Sequence, residues 1–258
     1  FNFANETFVR DNSLISDSFT KTLIFFNLCK VIEENSLDFW LCQPLSSEIF
    51  GIPSETPQNS KTIIDPINNY GLAKTIEFYG SQILRSKGIK VFNTKNAFTN
   101  GVATMAIAMI LSFYRRIIKN HNDIKKHIWL KYSGETLIKK KIGIIGLGNI
   151  GKKIIHMLQG FGTINYGNDL KKIDKRFIKK YDLKIKSKKF IFQNSDIIII
   201  ATDLNKKSYK LLNKKTFRSL KLKPLIVNIG RGGSIDNAAL IDALKKKKVI
   251  GACLDVFE

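Results

Sequence analysis

Apolar residues in the second half of the chain follow two distinct patterns. Three short, continuously apolar runs are typical of strands buried on both faces of a parallel sheet: Lys141-Ile-Gly-Ile-Ile145, Ser195-Asp-Ile-Ile-Ile-Ile-Ala201 and Leu225-Ile-Val227. In Lys152–Phe161 the apolar residues instead recur three and four positions apart, as on one face of a helix. Strands that alternate with helices predict an α/β fold with a doubly wound parallel sheet.

Other helices are predicted before and after these strands. Val102–Tyr114 is a long, mostly apolar helix that should end near Arg115, and its composition predicts burial between domains or subunits. A polar linker, Lys119–Ser133, is expected to follow it. Two shorter helices are expected at Asn213–Leu220 and Asn237–Lys246.

The first part of the chain is poorly patterned. Leu23–Phe26, Phe39–Cys42 and Ile89–Phe92 are predicted as short strands, and Ser54–Thr62 as an exposed loop. Four prolines are expected in the loops of this region: Pro44, Pro53, Pro57 and Pro66. The change in pattern places a domain boundary near Asn96, with residues 1–96 in one domain and residues 97–258 in the other.

Composition narrows the class of protein. The chain has 258 residues and is 44% hydrophobic, which is enough for a substantial core. Its longest apolar run, Val102–Phe113, is shorter than the roughly 20 residues that span a bilayer, and no secretory signal pattern is visible. Cys29, Cys42 and Cys253 are too few and too scattered for a disulfide framework. We therefore expect a globular, cytoplasmic protein without a membrane span.

The charge is strongly basic. There are 43 basic and 21 acidic residues, a net charge of +22, which attracts polyanions and small anionic substrates. Seven of the 43 basic residues are Arg and the other 36 are Lys. The solvated ammonium of lysine binds phosphates less well than the forked guanidinium of arginine. We expect no nucleic-acid partner, and keep polyanion binding by a lysine-rich face as a hypothesis that steep salt dependence would support.

A glycine-rich segment carries the first chemical signal. Gly146-Leu-Gly-Asn-Ile-Gly151 follows a predicted strand and opens a predicted helix, which is the setting of the dinucleotide fingerprint. In that fingerprint the glycines allow a tight turn, close approach of a pyrophosphate and close packing of helix on strand. We therefore predict cofactor contacts from the glycines and from Asn149 and Ile150, whose amides open the helix.

An acidic residue strengthens this prediction. Asp169 lies 18 positions after Gly151, at the expected end of the second strand, where a carboxylate binds the adenosine ribose hydroxyls and repels a 2′-phosphate. NAD is therefore the predicted cofactor rather than NADP. Lys171 and Lys172 follow closely and weaken that discrimination, so dual specificity is kept as the second choice. No metal site is predicted.

The end of the chain resembles a known family. Asn228-Ile-Gly-Arg-Gly-Gly-Ser-Ile-Asp236 and Gly251-Ala-Cys-Leu-Asp-Val-Phe-Glu258 resemble the signature of the NAD-dependent D-2-hydroxyacid dehydrogenases, as does Gly88–Thr94. The resemblance implies a Rossmann-type domain at residues 97–258 and a smaller flavodoxin-like α/β substrate domain at residues 1–96. It also implies a homodimer, and hydride transfer between NAD(H) and a small 2-hydroxy or 2-oxo acid.

The same resemblance implies roles for individual residues. Arg231 would bind the substrate carboxylate and carbonyl and also contact the cofactor, and Asp255 would accept a hydrogen bond from the nicotinamide carboxamide. Thr202, Ile229 and Gly230 would line the nicotinamide. Gly80 and Ser81 resemble part of a loop whose amides bind the substrate carboxylate, although Gln82 stands where the family has a second glycine.

The resemblance also limits what is expected of the sequence. The family's acid–base Glu and His lie beyond the position of Glu258, so a C-terminally incomplete, inactive enzyme is expected. His121, His127 and His156 are interpreted as ordinary surface residues. The competing hypothesis is a non-catalytic NAD(H)-binding sensor of the corepressor type.

Overall fold

The chain divides into two compact units, residues 1–94 and 95–258. The computed structural model describes residues 15–35, 46–51, 62–86 and 98–257. The expected strands Phe39–Cys42 and Ile89–Phe92, prolines 44, 53 and 57, and residues 54–61 of the expected loop lie outside the described residues.

The described part of the first unit is helical. Helix α1 spans Ile15–Glu34, a 3₁₀ turn spans Ser47–Phe50 and helix α2 spans Asn69–Ser86. The two helices approach closely at Gly80, where an added Cβ atom would lie 2.9 Å from the Phe26 ring. Phe25 is buried beside this contact at 1% exposure. Residues 62–68, including Pro66, contain no helix or strand, as predicted for that proline.

Two predictions for this unit are wrong. Leu23–Phe26 lies inside α1 and is not a strand, and of these residues only Phe25 is fully buried. A four-residue apolar run does not distinguish a strand from part of a helix, and the length of the surrounding helix decides the outcome. Gly80 and Ser81 lie inside α2 and not in a loop. Tertiary context overrides the turn propensity of Gly and Ser here, and Gly80 packs closely against the Phe26 ring.

The second unit is built on a six-stranded parallel sheet with the order β3-β2-β1-β4-β5-β6. The strands are β1 Lys141–Ile145, β2 Ile164–Asn168, β3 Lys184–Ile185, β4 Ile197–Ile200, β5 Leu225–Asn228 and β6 Gly251–Leu254. This is the doubly wound dinucleotide-binding order, so the predicted α/β Rossmann-type sheet is confirmed.

Helices cover both faces of the sheet. The helices of this unit are α3 Thr99–Tyr114, α4 Ile117–Lys125, α5 Asn149–Met157, α6 Lys175–Lys180, α7 Lys188–Asn194, α8 Lys214–Ser219 and α9 Asn237–Lys245, and α4 takes no part in covering the sheet. Ile197 and Ile199 of β4 pack in the same cluster as α3 and α5, whereas Ile198 and Ile200 pack in the cluster of α7, α8 and α9. Because successive strand residues point to opposite faces, a run of four isoleucines fills both layers.

The helix predictions for this unit have different outcomes. Helix α3 ends with Arg115 as its C-cap, as predicted, and the predicted helices at 213–220 and 237–246 are confirmed as α8 and α9. Helix α5 begins at Asn149, three residues earlier than predicted, and passes into a 3₁₀ turn at Leu158–Phe161. The predicted linker after α3 is partly wrong, because helix α4 occupies its first part. No residue of α4 is buried, so the sequence shows no helical repeat of apolar residues that would have predicted this helix.

Among the described residues, no single helix is long and apolar enough to cross a membrane. Helices α3 and α4 reach the required length and composition only when taken together, and they are bent by 59° at the break between them.

Candidate cofactor-binding site

Five loops of the second unit begin at the same edge of the sheet. They follow the carboxyl ends of β1, β2, β4, β5 and β6, and they carry Gly146, Asp169, Thr202, Arg231 and Asp255 respectively. In an open parallel sheet, ligands bind at this edge, where neighbouring strands lead to opposite layers. Here that point lies between β1 and β4. The fold therefore brings together the residues that the sequence predicted to bind cofactor after separate strands.

The glycine loop is shaped by close backbone contacts. Gly146 has φ +98°, and an added Cβ atom would lie 2.6 Å from the carbonyl oxygen of Ala201 after β4. A Cβ atom at Gly151 would overlap the carbonyl oxygen of Gly146. By contrast, a Cβ atom at Gly148 would meet nothing within 4 Å. Two glycines thus close the turn and seat α5 on it, and the third leaves open space above the loop, as a pyrophosphate requires.

Asp169 directly follows β2 and is tied to the glycine loop. Its Oδ2 accepts a hydrogen bond from the amide of Leu147 at 2.6 Å, and its Oδ1 accepts one from the amide of Lys171 at 2.8 Å. These bonds hold the carboxylate at the outer end of the loop, beside the start of α5. Sequence reasoning identified Asp169 but missed the bond from Leu147, because a contact across 22 residues has no local signal.

Asn168 and Gly167, which precede this acid, are also explained by their contacts. A Cβ atom at Gly167 would lie 2.7 Å from Leu147 Cδ1, so a larger residue would require the Leu147 side chain to move. The Asn168 side chain donates to the carbonyl oxygen of Lys186, beyond β3, at 2.8 Å. Both residues therefore fasten the end of β2 to its neighbours.

The loops after β4 and β5 touch each other. A Cβ atom at Gly230 would lie 2.5 Å from the carbonyl oxygen of Thr202, so only glycine lets the two backbones approach. Ile229 is buried, and its amide donates to Ile200 at 3.1 Å. The hydroxyl oxygen of Thr202 is buried and has no hydrogen-bond partner among the described residues. A buried polar atom of this kind fits a site where a bound group supplies the missing hydrogen bond.

Arg231 is held at this edge by Asn228. The Asn228 side chain donates to the carbonyl oxygen of Arg231 at 2.9 Å and accepts from the amide of Gly230 at 3.1 Å. Arg231 is half-buried, and its Nη1 donates to the carbonyl oxygen of Gly230 at 2.8 Å. The amide of Asp255 donates to the carbonyl oxygen of Asn228 at 2.9 Å, which joins the β6 end to the same structure, and Asp255 itself is exposed.

Sequence reasoning quoted Asn228 and Asp236 without giving them roles. Asn228 makes the side-chain turn that asparagine favours before a glycine, and this local signal could have identified it. Asp236 is the N-cap of α9, where its Oδ1 accepts from the amide of Ala239 at 3.0 Å. An aspartate just before a helical stretch is a recognisable cap signal. Both residues support the Arg231 loop from outside the site.

The remaining predicted residues are Gly80, Ser81 and the histidines. Gly80 and Ser81 belong to the first unit, where Ser81 Oγ donates to the carbonyl oxygen of Phe78 within α2. Amides inside a helix already donate to helix carbonyls, so the expected carboxylate-binding loop is wrong. The three histidines, His121, His127 and His156, are exposed, as predicted. No group of His, Cys, Asp and Glu within the described ranges could hold a metal ion.

The fold and the edge together define a dinucleotide-binding domain. The sheet order, the open space above Gly148, the fixed acid after β2 and the unpartnered Thr202 hydroxyl all fit a bound nicotinamide dinucleotide. A sequence model described as D-isomer specific 2-hydroxyacid dehydrogenase, NAD binding domain, matches residues 107–258, which is more than half of the chain. The chain therefore belongs to this family, and NAD is the cofactor of the matched domain. The predicted family and cofactor are confirmed.

Known proteins similar to this chain are dehydrogenases and reductases. It is 36% identical over 173 residues to a D-3-phosphoglycerate dehydrogenase of Bacillus subtilis, covering 66% of this chain and 33% of the relative. It is 31% identical over 183 residues to a glyoxylate reductase of Pyrococcus horikoshii, covering 67% and 54%. The apo-structure of D-lactate dehydrogenase from Escherichia coli is similar with a TM-score of 0.61 at 29% identity, over 69% of this chain and 56% of that one. The chain thus spans between a third and just over half of these relatives.

Proposed function

We propose that this protein is an oxidoreductase that transfers a hydride between NAD(H) and a small 2-hydroxy or 2-oxo acid. The observation that carries the proposal is the convergence of the glycine loop, Asp169 and the Arg231 loop at one edge of the sheet. The names of the similar proteins, among them glyoxylate reductase and D-3-phosphoglycerate dehydrogenase, agree with substrates of this size and charge. The nicotinamide ring, when bound, supplies or accepts the hydride.

In this proposal the cofactor lies across the carboxyl ends of the strands. The amides that open α5, at Asn149 and Ile150, bind the pyrophosphate above Gly148, and Asp169 accepts hydrogen bonds from the adenosine ribose. The Thr202 hydroxyl and the backbone of Ile229 and Gly230 bind the nicotinamide half. Asp255, at the end of β6, accepts from its carboxamide.

Arg231 is proposed to orient the substrate acid. The Asn228 side chain bonds the carbonyl oxygen of Arg231 and the amide of Gly230, so the guanidinium projects from a hydrogen-bonded turn. A planar guanidinium matches two oxygens of a 2-oxo acid at once, which a lysine ammonium does not. Gly80 and Ser81, the other residues predicted to bind substrate, lie inside α2 and not in a loop, so this proposal gives the role to Arg231.

The domain roles belong to the same proposal. We propose residues 97–258 as the NAD-binding domain and residues 1–96 as part of a smaller substrate domain with a flavodoxin-like α/β fold. The division of the chain at residue 94 into two compact units supports a boundary in this region. A cytoplasmic setting is also proposed; Cys29 and Cys253, the cysteines within the described ranges, form no disulfide. Cell fractionation tests it.

The first experiment is a titration of the chain with NADH, followed by fluorescence. Binding is expected, and absence of binding would contradict the proposal. NADH oxidation with a panel of 2-oxo acids then tests turnover. In a protein that turns over, Arg231→Ala should lower kcat/KM about a hundredfold or more, the scale for loss of one positioned charge-stabilising donor, and leave NADH affinity unchanged. Arg218→Ala, at an exposed arginine in α8, is the control.

The turnover assay also decides between the enzyme and the alternative function. The alternative is a non-catalytic NAD(H) sensor that uses the same fold. NADH binding without oxidation by any 2-oxo acid, in a chain that extends through the family's acid–base Glu and His, would favour the sensor. Oxidation by one or more acids would exclude it.

We further propose a homodimer that forms through the second unit. Helix α3 buries its apolar face in the unit's own core, through Ala106 and Ile110 among others. The segment that follows instead leaves a group of apolar side chains exposed: Ile117, Ile118, Ile124, Ile128, Trp129 and Leu130. Exposed apolar surface of this extent is typical of a protein–protein interface.

A further inference from the structure

We infer that the ribose end of the nucleotide site also accepts a 2′-phosphate, so that this protein binds NADP(H) as well as NAD(H). The inference rests on the proposed nucleotide site. It concerns the basic residues around Asp169, to which the proposed function assigns no role.

The first argument is the state of the Asp169 carboxylate. Discrimination against NADP relies on a carboxylate that receives the ribose hydroxyls and repels a phosphate. Here both carboxylate oxygens already accept backbone hydrogen bonds, at 2.6 Å from Leu147 and at 2.8 Å from Lys171. Amide donors aimed at a carboxylate offset part of its negative charge and leave fewer lone pairs for the ribose. Asp169 is therefore a weaker barrier to phosphate than an acid with unengaged oxygens.

The second argument is the local charge. Four basic side chains follow Asp169 within seven residues, and all four are exposed: Lys171, Lys172, Lys175 and Arg176. The one other acid in this stretch, Asp174, is engaged as the N-cap of α6, where its Oδ1 accepts from the amide of Arg176 at 2.7 Å. The surroundings of Asp169 thus carry a net positive charge, as a doubly charged 2′-phosphate requires.

The third argument is space. Lys172, Ile173, Asp174, Lys175 and Arg176 line an open surface pocket of about 510 Å³. Lys172, the first of these residues, lies three positions after Asp169 in the sequence. In this inference, a phosphate on the ribose turns toward these cations and away from the acid.

The fold adds a further cation that is distant in sequence. Strand β3 pairs with β2, so Lys186 lies beside the end of β2, with its amide donating to the carbonyl oxygen of Gly167 at 2.9 Å. Its side chain is half-buried, with Nζ 4.9 Å from the centre of the Phe190 ring. The positive charge at this end of the sheet therefore comes from two neighbouring loops.

The test is to measure the Kd of NADH and of NADPH with the unmodified chain and two double variants. Lys171→Glu with Lys172→Glu reverses the charge beside Asp169. Lys221→Glu with Lys223→Glu is the matched control, because these exposed lysines precede β5 at the opposite edge of the sheet. Binding is read by fluorescence, so no turnover is needed.

In the unmodified chain, the two Kd values should agree within about tenfold, which is about 1.4 kcal/mol. The Lys171/Lys172 variant should weaken NADPH binding about tenfold more than NADH binding, and the control variant should change both equally. A larger gap in the unmodified chain, or equal weakening of both dinucleotides by the Lys171/Lys172 variant, would overturn the inference and leave the proposed function intact. Failure of both dinucleotides to bind would contradict the nucleotide site itself.

Discussion

Glycines 146, 148 and 151 are required for different physical reasons, although the fingerprint treats them alike. Gly146 needs a positive φ and sits against the backbone of Ala201. Gly151 lies on the carbonyl oxygen of Gly146, whereas Gly148 has extended backbone geometry and open space around its missing Cβ. Gly151 is thus required for packing, whereas Gly148 is free of packing contacts and is proposed to be required for the cofactor. Substitutions should separate the two.

Replacement of Gly148 by Ala should leave the folded protein unchanged and weaken NADH binding at least about tenfold, because the methyl group enters the space of the pyrophosphate. Gly151→Ala should lower the free energy of unfolding by about 1–3 kcal/mol, because the backbone must shift to admit the methyl group. Thermal unfolding with and without NADH measures both effects. Gly160→Ala, another substitution into open space, is the control. A destabilised Gly148→Ala variant with normal NADH affinity would contradict this assignment.

At the scale of elements, the last residue of helix α3 shows how burial in the core keeps a tyrosine hydroxyl protonated. Tyr114, the last residue of α3, is buried at 5% exposure, with Lys140 Nζ 4.9 Å from its ring centre. Burial raises the pKa of the Tyr114 hydroxyl well above its usual value, and the negative charges of Asp196 and Glu135 raise it further. The folded protein therefore holds Tyr114 neutral where the unfolded chain would ionise it.

This shift predicts a loss of stability at alkaline pH. The folded pKa lies above the unfolded value of about 10, so the contribution is fully present below pH ~10 and is lost as the pH rises beyond it. The loss attributable to Tyr114 should approach about 1.4 kcal/mol per pH unit. Urea unfolding at several pH values should show a smaller alkaline loss for Tyr114→Phe than for the unmodified protein. Tyr209→Phe, at a more exposed tyrosine, is the control, and equal losses in all three proteins would refute the prediction.

Among the elements, strands were easier to predict than helices of low burial. The strands β1, β4 and β5 were predicted to within two residues at each end, because burial on both faces demands continuous apolar runs. Helix α4 was missed because it buries nothing, and α1 was mistaken for a strand because only a fragment of it is apolar enough to notice. The periodicity of apolar residues reflects which side chains are buried. It therefore does not predict an element that is exposed or buried over only a few residues.

At the scale of the whole molecule, the exposed apolar group after α3 predicts the oligomeric state. Light scattering coupled to size exclusion should give twice the mass of one chain. Ile118→Lys and Trp129→Lys should each shift the protein toward the monomer, because a buried, unpaired ammonium is costly in an interface. Ile241→Lys, at a comparably exposed isoleucine of α9, should leave the mass unchanged. A monomeric unmodified protein would contradict the proposed dimer.

The sequence by itself determined the class of the second unit, and it predicted residues that follow five separate strands of its sheet. Glycine spacing, the acid after the second strand and the apolar strand runs are local signals, because each reflects what one segment must do in contact with its immediate neighbours. The family signature around Arg231 was likewise complete in the sequence.

Only the tertiary structure decided which of these residues meet, and how each is held. The parallel order of the sheet brings the Gly146, Asp169, Thr202 and Arg231 loops to one edge, and the bond from Leu147 to Asp169 crosses 22 residues. It also showed that Gly80 and Ser81 lie inside α2 and not in a loop, with the Phe26 ring packed against Gly80. Contacts between distant segments depend on strand order and on packing. Neither can be read from the pattern of apolar residues within a single segment.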